Sequence, residues 1–160
     1  MTTPKKFQIG LAFEEMKVGD RFVTRRRTIN ESDLAQFVNL TWMTEELFTA
    51  VPEEPQALPA RVIPGAMVYA VAEGLVLTAF SGSGLAFLGT EITCHAPVSV
   101  GDTLHVEFEV VESRPTKAPG RGFVRTVNKV INDAGQLVLT YNPARLLRDA
   151  ASMGKELDHA

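Results

Sequence analysis

Hydrophobic and polar residues alternate from Thr103 to Val110 in the stretch "TLHVEFEVVES". One face of this stretch carries Leu104, Val106, Phe108 and Val110, and the other carries Thr103, His105, Glu107 and Glu109. A period of two residues is the repeat of a β-strand that buries one face and exposes the other. Strands of this half-solvated kind are typical of antiparallel sheets.

Four other stretches also predict strands. Residues 21–28 come first, and "GLAFLGTEITCHAPV", "GFVRTVNKVIN" and "QLVLTYNPARLL" follow in the second half of the chain. Between the last two, "NDAGQ" predicts a tight hairpin turn, because Gly135 can adopt the positive φ that such turns favour. The second half of the chain therefore predicts four consecutive antiparallel strands.

The segment from residue 63 to residue 80 has a different pattern. From Ala66 onwards only Glu73, Gly74 and Thr78 interrupt an apolar run. A membrane-spanning helix needs about 20 apolar residues, so this segment is too short, and it also carries a charge. A helix that is apolar nearly all round is expected inside a protein, wrapped by other elements.

A shorter helix is predicted over residues 31–40. Asn30 is a good N-cap, because its side-chain oxygen can accept the unpaired amides of the first turn, and Asp33 suits the positive end of the helix dipole. One buried helix, a strand before it and four strands after it predict an α+β fold, in which a curled antiparallel sheet surrounds the helix. A homodimer would cover whatever sheet surface remains apolar.

Length and composition fit one domain over residues 1–160, with a core at about 13–147 and a C-terminal tail at 148–160 that includes His159. A net charge of −3 gives no basic surplus to bind a phosphate backbone, so nucleic acid is excluded as an expected partner.

The lone Cys94 cannot form an internal disulfide and is expected to be a buried apolar residue. Three scattered histidines predict no metal site.

The location predicted for the chain is the cytoplasm. The N-terminal stretch has two lysines but no continuous apolar run after them, as a signal peptide would have. We also expect no membrane association.

Four motifs, in this order, resemble the MaoC-like dehydratases, a family that includes R-specific enoyl-CoA hydratases. They are "FEEMKVGDRF", "TINESDLAQFVNLT", "CHAPVSVGDTLHVEFEVVESR" and "APGRGFVRTVNKVINDAGQLVL". Together they extend over nearly the whole chain, and the third, with Pro-Val-x-x-Gly-Asp-Thr-Leu, is the most specific. The resemblance implies a hotdog fold and a dimer whose central helices lie side by side.

The resemblance also implies a substrate class and a reaction. Acyl thioesters of coenzyme A or of a carrier protein would bind between subunits, with no separate cofactor. Water would be added to, or removed from, a 2,3 double bond by an Asp and a His that handle the two protons. A backbone amide at the start of the central helix would bind the thioester oxygen as enolate charge develops there.

The chain departs from the family where the Asp and His should stand. After "FVNLT" the family has Gly-Asp and then a His, whereas this chain continues directly with Trp42, Met43 and Thr44. Neither catalytic role can therefore be assigned by this motif. At the start of the central helix the family has His-Gly, and this chain has Pro64 and Gly65. The match predicts that Gly65 supplies the oxyanion-binding amide and that Pro64 lies at the substrate site.

Glu45 and Glu46 follow the altered motif and have two interpretations. In an apolar pocket beside Trp42, desolvation would raise the pKa of a glutamate, which could then act as acid or base. Alternatively, Thr44 caps a short helix and the glutamates lie at its positive end. Trp42 is either a packing residue or one wall of the acyl pocket.

Glu73 is unusual because it is a charge within a buried helix. It is expected to be paired, or to reach the dimer seam or a pocket. Thioesterases of this fold use a carboxylate on this helix, which keeps that activity open. His95, by contrast, is expected to be exposed or to point outward, and His105 to be solvated.

The stretch "RPTKAPGRG" places Arg114, Lys117 and Arg121 in a glycine-containing loop. Such a loop can bind the phosphates of a coenzyme A nucleotide, or it can be an ordinary solvated hairpin. Three functions follow for the chain: a hydratase or dehydratase with divergent catalytic residues, a non-catalytic subunit that binds acyl thioesters, and a thioesterase that uses Glu73.

Overall fold

The computed structural model of the protein describes residues 9–53 and 60–154. The helices are α1 (Glu31–Thr41), α2 (Glu46–Thr49) and α3 (Gly65–Leu77), and the strands are β1 (Arg21–Val23), β2 (Arg27–Thr28), β3 (Gly84–Gly89), β4 (Ile92–Cys94), β5 (Thr103–Pro115), β6 (Arg121–Ile131), β7 (Leu137–Tyr141) and β8 (Ala144–Arg148). Short 3-10 turns follow α3 at residues 78–80 and follow β8 at residues 151–153. His159 lies outside the described residues.

All strand pairings within the described residues are antiparallel, and β5 and β6 form the centre of the sheet. β1 and β2 both pair with β5, while β7 and β8 both pair with β6. Asn128 pairs with Tyr141 and Arg125 with Ala144, so a single register runs through β7 and β8. β4 and β3 then pair with β7 and β8 and form the free edge of this sheet.

Helix α3 packs against one face of the sheet. Its buried apolar residues are Met67, Val68, Ala72 and Val76. The alternating residues of β5 meet it from the sheet, since all four predicted inward-facing side chains of that strand are at most 2% exposed. The predicted α+β fold, with an antiparallel sheet around a central helix, is confirmed.

The helix is not enclosed on every side within one chain. Ala66, Ala70, Gly74 and Leu77 are exposed and lie along one side of α3. The edge strand beside it is exposed as well, with Leu85, Phe87 and Leu88 each more than two fifths accessible. One side of the helix is therefore open in the single chain, where the sheet ends at β3 and β4.

The predicted cap of α1 is confirmed. The Asp33 amide donates to Asn30 Oδ1 and the Asn30 amide donates to Asp33 Oδ2, both at 3.0 Å. The short helix after it is also present, but Thr44 does not cap it. The residue that precedes α2 is Glu45, and no side chain caps the helix.

Cys94 is exposed, so the expectation of a buried cysteine is wrong. The reason is its place in β4, an edge strand that pairs on one side with β7.

The hairpin turn between β6 and β7 is confirmed, with Gly135 at φ 77°. Within the two described ranges, none of the helices has the length and apolar content needed to cross a bilayer.

Candidate functional site

Two cavities lie beside α3, one against the edge strand β4 and the other against the edge strand β3, and we call the two together the groove. The helix-start cavity, of about 330 Å³, is lined by Gly65, Val68, Cys94 and Leu139 among others. The mid-helix cavity, of about 420 Å³, is lined by Tyr69, Glu73, Phe87 and Arg145 among others. Val68 and Tyr69 are consecutive residues, so the two cavities are neighbours along the same helix.

The helix-start cavity is shaped by the first residue of α3. Pro64 precedes the helix and is buried, and its carbonyl accepts the amides of Met67 and Val68 at 2.9 and 3.0 Å. Gly65 is exposed, and the amide of a first helical residue has no acceptor within its own helix. It also lies at the positive end of the helix dipole, so the cavity suits a partly negative oxygen.

Close packing explains why residue 65 is a glycine. A Cβ at this position would lie 2.9 Å from the sulfur of Cys94, closer than real contacts of this kind. Cys94 pairs with Leu139 across β4 and β7, and both side chains face α3. The edge strand therefore approaches the helix backbone directly at this point.

His95 also borders the helix-start cavity, but its ring lies elsewhere. Successive side chains of a strand point to opposite faces, and Cys94 faces the helix. The His95 Nε2 atom lies 2.9 Å from the hydroxyl of Thr140, a residue that pairs with Thr93. The ring is therefore on the outer face of the sheet, as the sequence predicts, and cannot serve as acid or base inside the groove.

The mid-helix cavity has a charged pair in its wall. The Arg145 guanidinium donates to both carboxylate oxygens of Glu73, at 2.6 Å to Oε2, and its Cζ atom lies 5.3 Å from the ring centre of Phe80. The Tyr141 hydroxyl donates to Glu73 Oε1 at 3.2 Å. Arg145 is 4% exposed and Glu73 is 9% exposed. The expectation that Glu73 must be paired is met by Arg145.

Two tyrosines complete this arrangement. Tyr69 meets Tyr141 edge-on, with ring centres 5.2 Å apart. Burial raises the pKa of Tyr141 far above its usual range, and the neighbouring Glu73 carboxylate raises it further. Burial also raises the pKa of Tyr69, with a smaller contribution from the same carboxylate. Both hydroxyls therefore keep their protons at neutral pH and can act as hydrogen-bond donors.

Behind the pair, β6 contributes further buried polar groups. Thr126 and Asn128 are fully buried and face α3. The Thr126 hydroxyl and the Arg145 Nε have no hydrogen-bond partner among the described residues. Unpaired polar groups in an interior are destabilising and mark places with a role other than packing.

The other candidates from the altered motif lie away from the groove. Trp42 ends α1 with φ 60° and is 85% exposed. Glu45 and Glu46 are exposed at the start of α2. None of the three lines either cavity within this chain, so the structure does not bring them together with Gly65.

The basic loop lies far from Gly65 along the sheet. Arg114 forms an ion pair with Glu112 at 2.9 Å and stacks on Phe123, with 4.4 Å to the ring centre. Lys117 and Arg121 are exposed. Arg121 begins β6, whereas the helix-start cavity lies near the other end of that strand, about 30 Å away at the usual rise per residue. Within one chain the loop and Gly65 cannot contact the same end of a ligand.

Sequence reasoning did not identify Arg145, Tyr141 or Tyr69 as site residues. One signal was present: "NPARLL" places an arginine on the inward-facing register of an apolar strand, and the central helix contains a lone glutamate. Two opposite charges in buried elements of the same domain are expected to pair. No group of three or more potential metal ligands occurs in the described parts of the chain.

Comparisons with known proteins give the class of the fold. No protein-family model matches the sequence, and no curated protein matches it either. Many solved structures match. One is a monoamine oxidase regulatory protein from Archaeoglobus fulgidus, with 28% identity and a TM-score of 0.76 over 91% of this chain and 99% of that one.

Two further matches are named for dehydratase or hydratase activity. A MaoC domain protein dehydratase from Chloroflexus aurantiacus is 27% identical, with a TM-score of 0.79 over 88% of this chain and 41% of that longer one. An R-hydratase from Pseudomonas aeruginosa is 24% identical, with a TM-score of 0.66 over 94% of this chain and 92% of that one.

The architecture defines an α+β protein with the hotdog fold, the fold that is also named for a matching protein of Mycobacterium tuberculosis. Within that fold, the structures that this chain resembles include MaoC-like dehydratases and R-hydratases. The resemblance predicted from the sequence motifs is thus confirmed at the level of the fold and its structural relatives.

Proposed function

We propose that this chain binds an acyl thioester of coenzyme A or of a carrier protein in the groove along α3. The observation that carries the proposal is the helix-start cavity of about 330 Å³, which is lined by the exposed first residue of α3, Gly65. The thioester oxygen would accept the amide of this residue, and the acyl chain would extend along α3. The walls suit such a chain, since Ile63, Val68 and Leu139 line the cavity.

The reaction that we propose is the addition or removal of water across the 2,3 double bond of the thioester. Matching solved structures that carry hydratase or dehydratase names support it. Among the described residues that line the helix-start cavity, Cys94 and His95 are the only ionisable ones, and the His95 ring faces outward. Acid and base would therefore come from other residues than an Asp–His motif, including Glu45 or Glu46 of a second copy.

A second copy of the chain is part of this proposal. The exposed side of α3 and the exposed edge strand β3 form an apolar surface that a homodimer would bury. The dimer would also allow the basic loop of one subunit, with Lys117 and Arg121, to approach the groove of the other. We also propose a cytoplasmic location, where acyl-CoA substrates are available.

One observation favours a second candidate, a non-catalytic subunit that binds acyl thioesters. The groove of a single chain offers one paired carboxylate, Glu73, and both of its oxygens already accept hydrogen bonds from Arg145. A carboxylate whose two oxygens both accept hydrogen bonds from a guanidinium has neither oxygen free to take a proton from a substrate or to attack a thioester carbonyl. The same point argues against a thioesterase that uses Glu73.

An assay with a panel of thioesters tests these proposals. Crotonyl-CoA and longer or branched 2-enoyl-CoAs would be incubated with the protein while the absorbance of the conjugated thioester and the release of free thiol are followed separately. We expect saturable binding, loss of absorbance and no thiol release. Binding without any loss of absorbance would support the non-catalytic subunit instead. Thiol release would contradict both, and no binding to any member of the panel would overturn the proposal.

A further inference from the structure

The mid-helix cavity combines apolar walls with a polar side. Apolar side chains of the 3-10 turn and of β3, including Phe80, Leu85 and Phe87, form most of its surface. The polar side consists of Tyr69, Glu73 and Arg145. A cavity that accepts only hydrocarbon would be more stable without buried charges, since an ion pair in an interior often contributes less than well-packed apolar residues do.

The Tyr69 hydroxyl is the group that is free to bind a ligand. The structure shows no hydrogen-bond partner for it among the described residues, and the side chain is half-buried at the cavity. The pKa of Tyr69 is raised first by burial and then by Glu73, and is lowered by Arg145, so the hydroxyl is close enough to feel both charges. It is a protonated donor beside an ion pair.

The charges decide which kind of ligand group fits. Glu73 and Arg145 neutralise each other, so the polar side has no net charge to attract an anion. A second carboxylate would be repelled by Glu73 and would lose its hydration. A neutral oxygen, by contrast, can accept from Tyr69 and lie in the field of the Arg145 guanidinium.

The position of Tyr69 along α3 indicates which part of the proposed substrate it would contact. Tyr69 is four residues after Gly65 and Glu73 is eight residues after it, which corresponds to about 6 and 12 Å at the rise of an α-helix. An acyl chain whose thioester lies at Gly65 and that follows the groove would reach the mid-helix cavity with its distal part. The reacting carbons would remain at the helix-start cavity.

We propose that the mid-helix cavity selects acyl thioesters whose chain carries a neutral oxygen, a hydroxyl or a keto group, near its distal end, and that Tyr69 is the specificity-determining donor. This inference rests on the proposed function of the groove. An unsubstituted chain would leave the Tyr69 hydroxyl and the ion pair facing a methyl group, without a partner. A chain with a hydroxyl in that place would satisfy the donor.

The test compares matched ligands by calorimetry. Octanoyl-, decanoyl- and dodecanoyl-CoA would be titrated beside their ω-hydroxy counterparts. For at least one length we expect the hydroxylated thioester to bind the wild-type protein roughly tenfold more tightly than the unsubstituted one. In Tyr69→Phe this preference should fall to about one, because the variant has no hydroxyl to donate to the ligand.

A second variant removes the ion pair without leaving a lone charge. When Tyr69→Phe is added to Glu73→Met/Arg145→Met, we expect the preference to reverse, because all three polar side chains that line the cavity are then apolar. Equal or tighter binding of unsubstituted thioesters by the wild type at every length would overturn this inference but leave the proposed function intact. A preference that persists in Tyr69→Phe would overturn the role of Tyr69. If neither series binds, the proposed function fails and this inference with it.

Discussion

The two cavities of the groove lie along the same helix but are built by opposite means. At the start of α3 the chain omits a side chain: Gly65 lets Cys94 approach the helix backbone and leaves an amide exposed. In the middle of α3 the chain adds polar side chains to an apolar interior and neutralises them, with Glu73, Arg145 and Tyr141 in direct contact. The helix-start cavity therefore depends on space, and the mid-helix cavity depends on charge balance.

Because the two cavities are built differently, they should respond differently to substitutions. A site defined by space is sensitive to added atoms and tolerant of changes in charge. A site defined by balanced charge tolerates the joint replacement of its members but not the loss of one.

Removal of one partner of the buried ion pair should be the most damaging change. Arg145→Met leaves Glu73 charged and buried, and we expect the free energy of unfolding to fall by about 3–5 kcal/mol in urea denaturation. Glu73→Met/Arg145→Met, in which no charge is left, should lie within about 1 kcal/mol of the wild type. A double variant as unstable as the single one would mean that packing, not charge balance, dominates in the middle of α3.

An added methyl group should disturb the start of α3. In Gly65→Ala the new Cβ would meet the Cys94 sulfur at 2.9 Å, and we expect a loss of about 1–3 kcal/mol in stability and a weaker affinity for thioesters. Cys94→Ala is the matched partner, because it removes the sulfur. The double variant Gly65→Ala/Cys94→Ala should recover most of the stability. Additive losses in the two single variants would show that this contact does not define the cavity.

The buried phenol of Tyr141 should have the smallest effect on the free energy of unfolding, and this effect should depend on pH. The folded-state pKa of Tyr141 is raised above the usual value near 10, so this side chain contributes fully to stability below pH 10. Above that pH the unfolded chain loses the proton while the folded chain keeps it. Stability should then fall with a slope of at most about 1.4 kcal/mol per pH unit for this group.

Tyr141→Phe is the control for this effect, since it cannot ionise. Urea denaturation at intervals from pH 8 to pH 11 should show the wild type losing more stability than the variant above pH 10. Parallel curves for the two proteins over this range would contradict a buried, neutral Tyr141.

The fold could be predicted from the sequence because its signals are local. Alternation in β5 and the apolar run of α3 each indicate an element without knowledge of the rest, and Asn30 with Asp33 indicate the start of α1. The family resemblance then supplied the arrangement of these elements. Exposure at the edge of the sheet was harder to predict from the sequence. Cys94 is exposed because β4 is the last strand on its side of the sheet, and the local pattern does not indicate this position.

The site was predicted only in part, because its contacts join distant segments. Gly65 could be identified from its motif, and the need of Glu73 for a partner followed from its apolar surroundings. That the partner is Arg145, 72 positions further along, follows from the register of β8 and not from any local pattern. The exposed positions of Trp42 and Glu45 likewise depend on how α1 and α2 pack.

The shared register of β7 and β8 has a consequence for how the C-terminal segment finds its place. A slip of one residue along β6 would turn every side chain of these strands to the opposite face. Leu146 would then point at Glu73 and Arg145 would point into solvent. The Glu73 carboxylate would be left charged and without a partner in the interior. The ion pair therefore favours the native alignment of the final strand, in which a cation lies beside the buried glutamate of the helix.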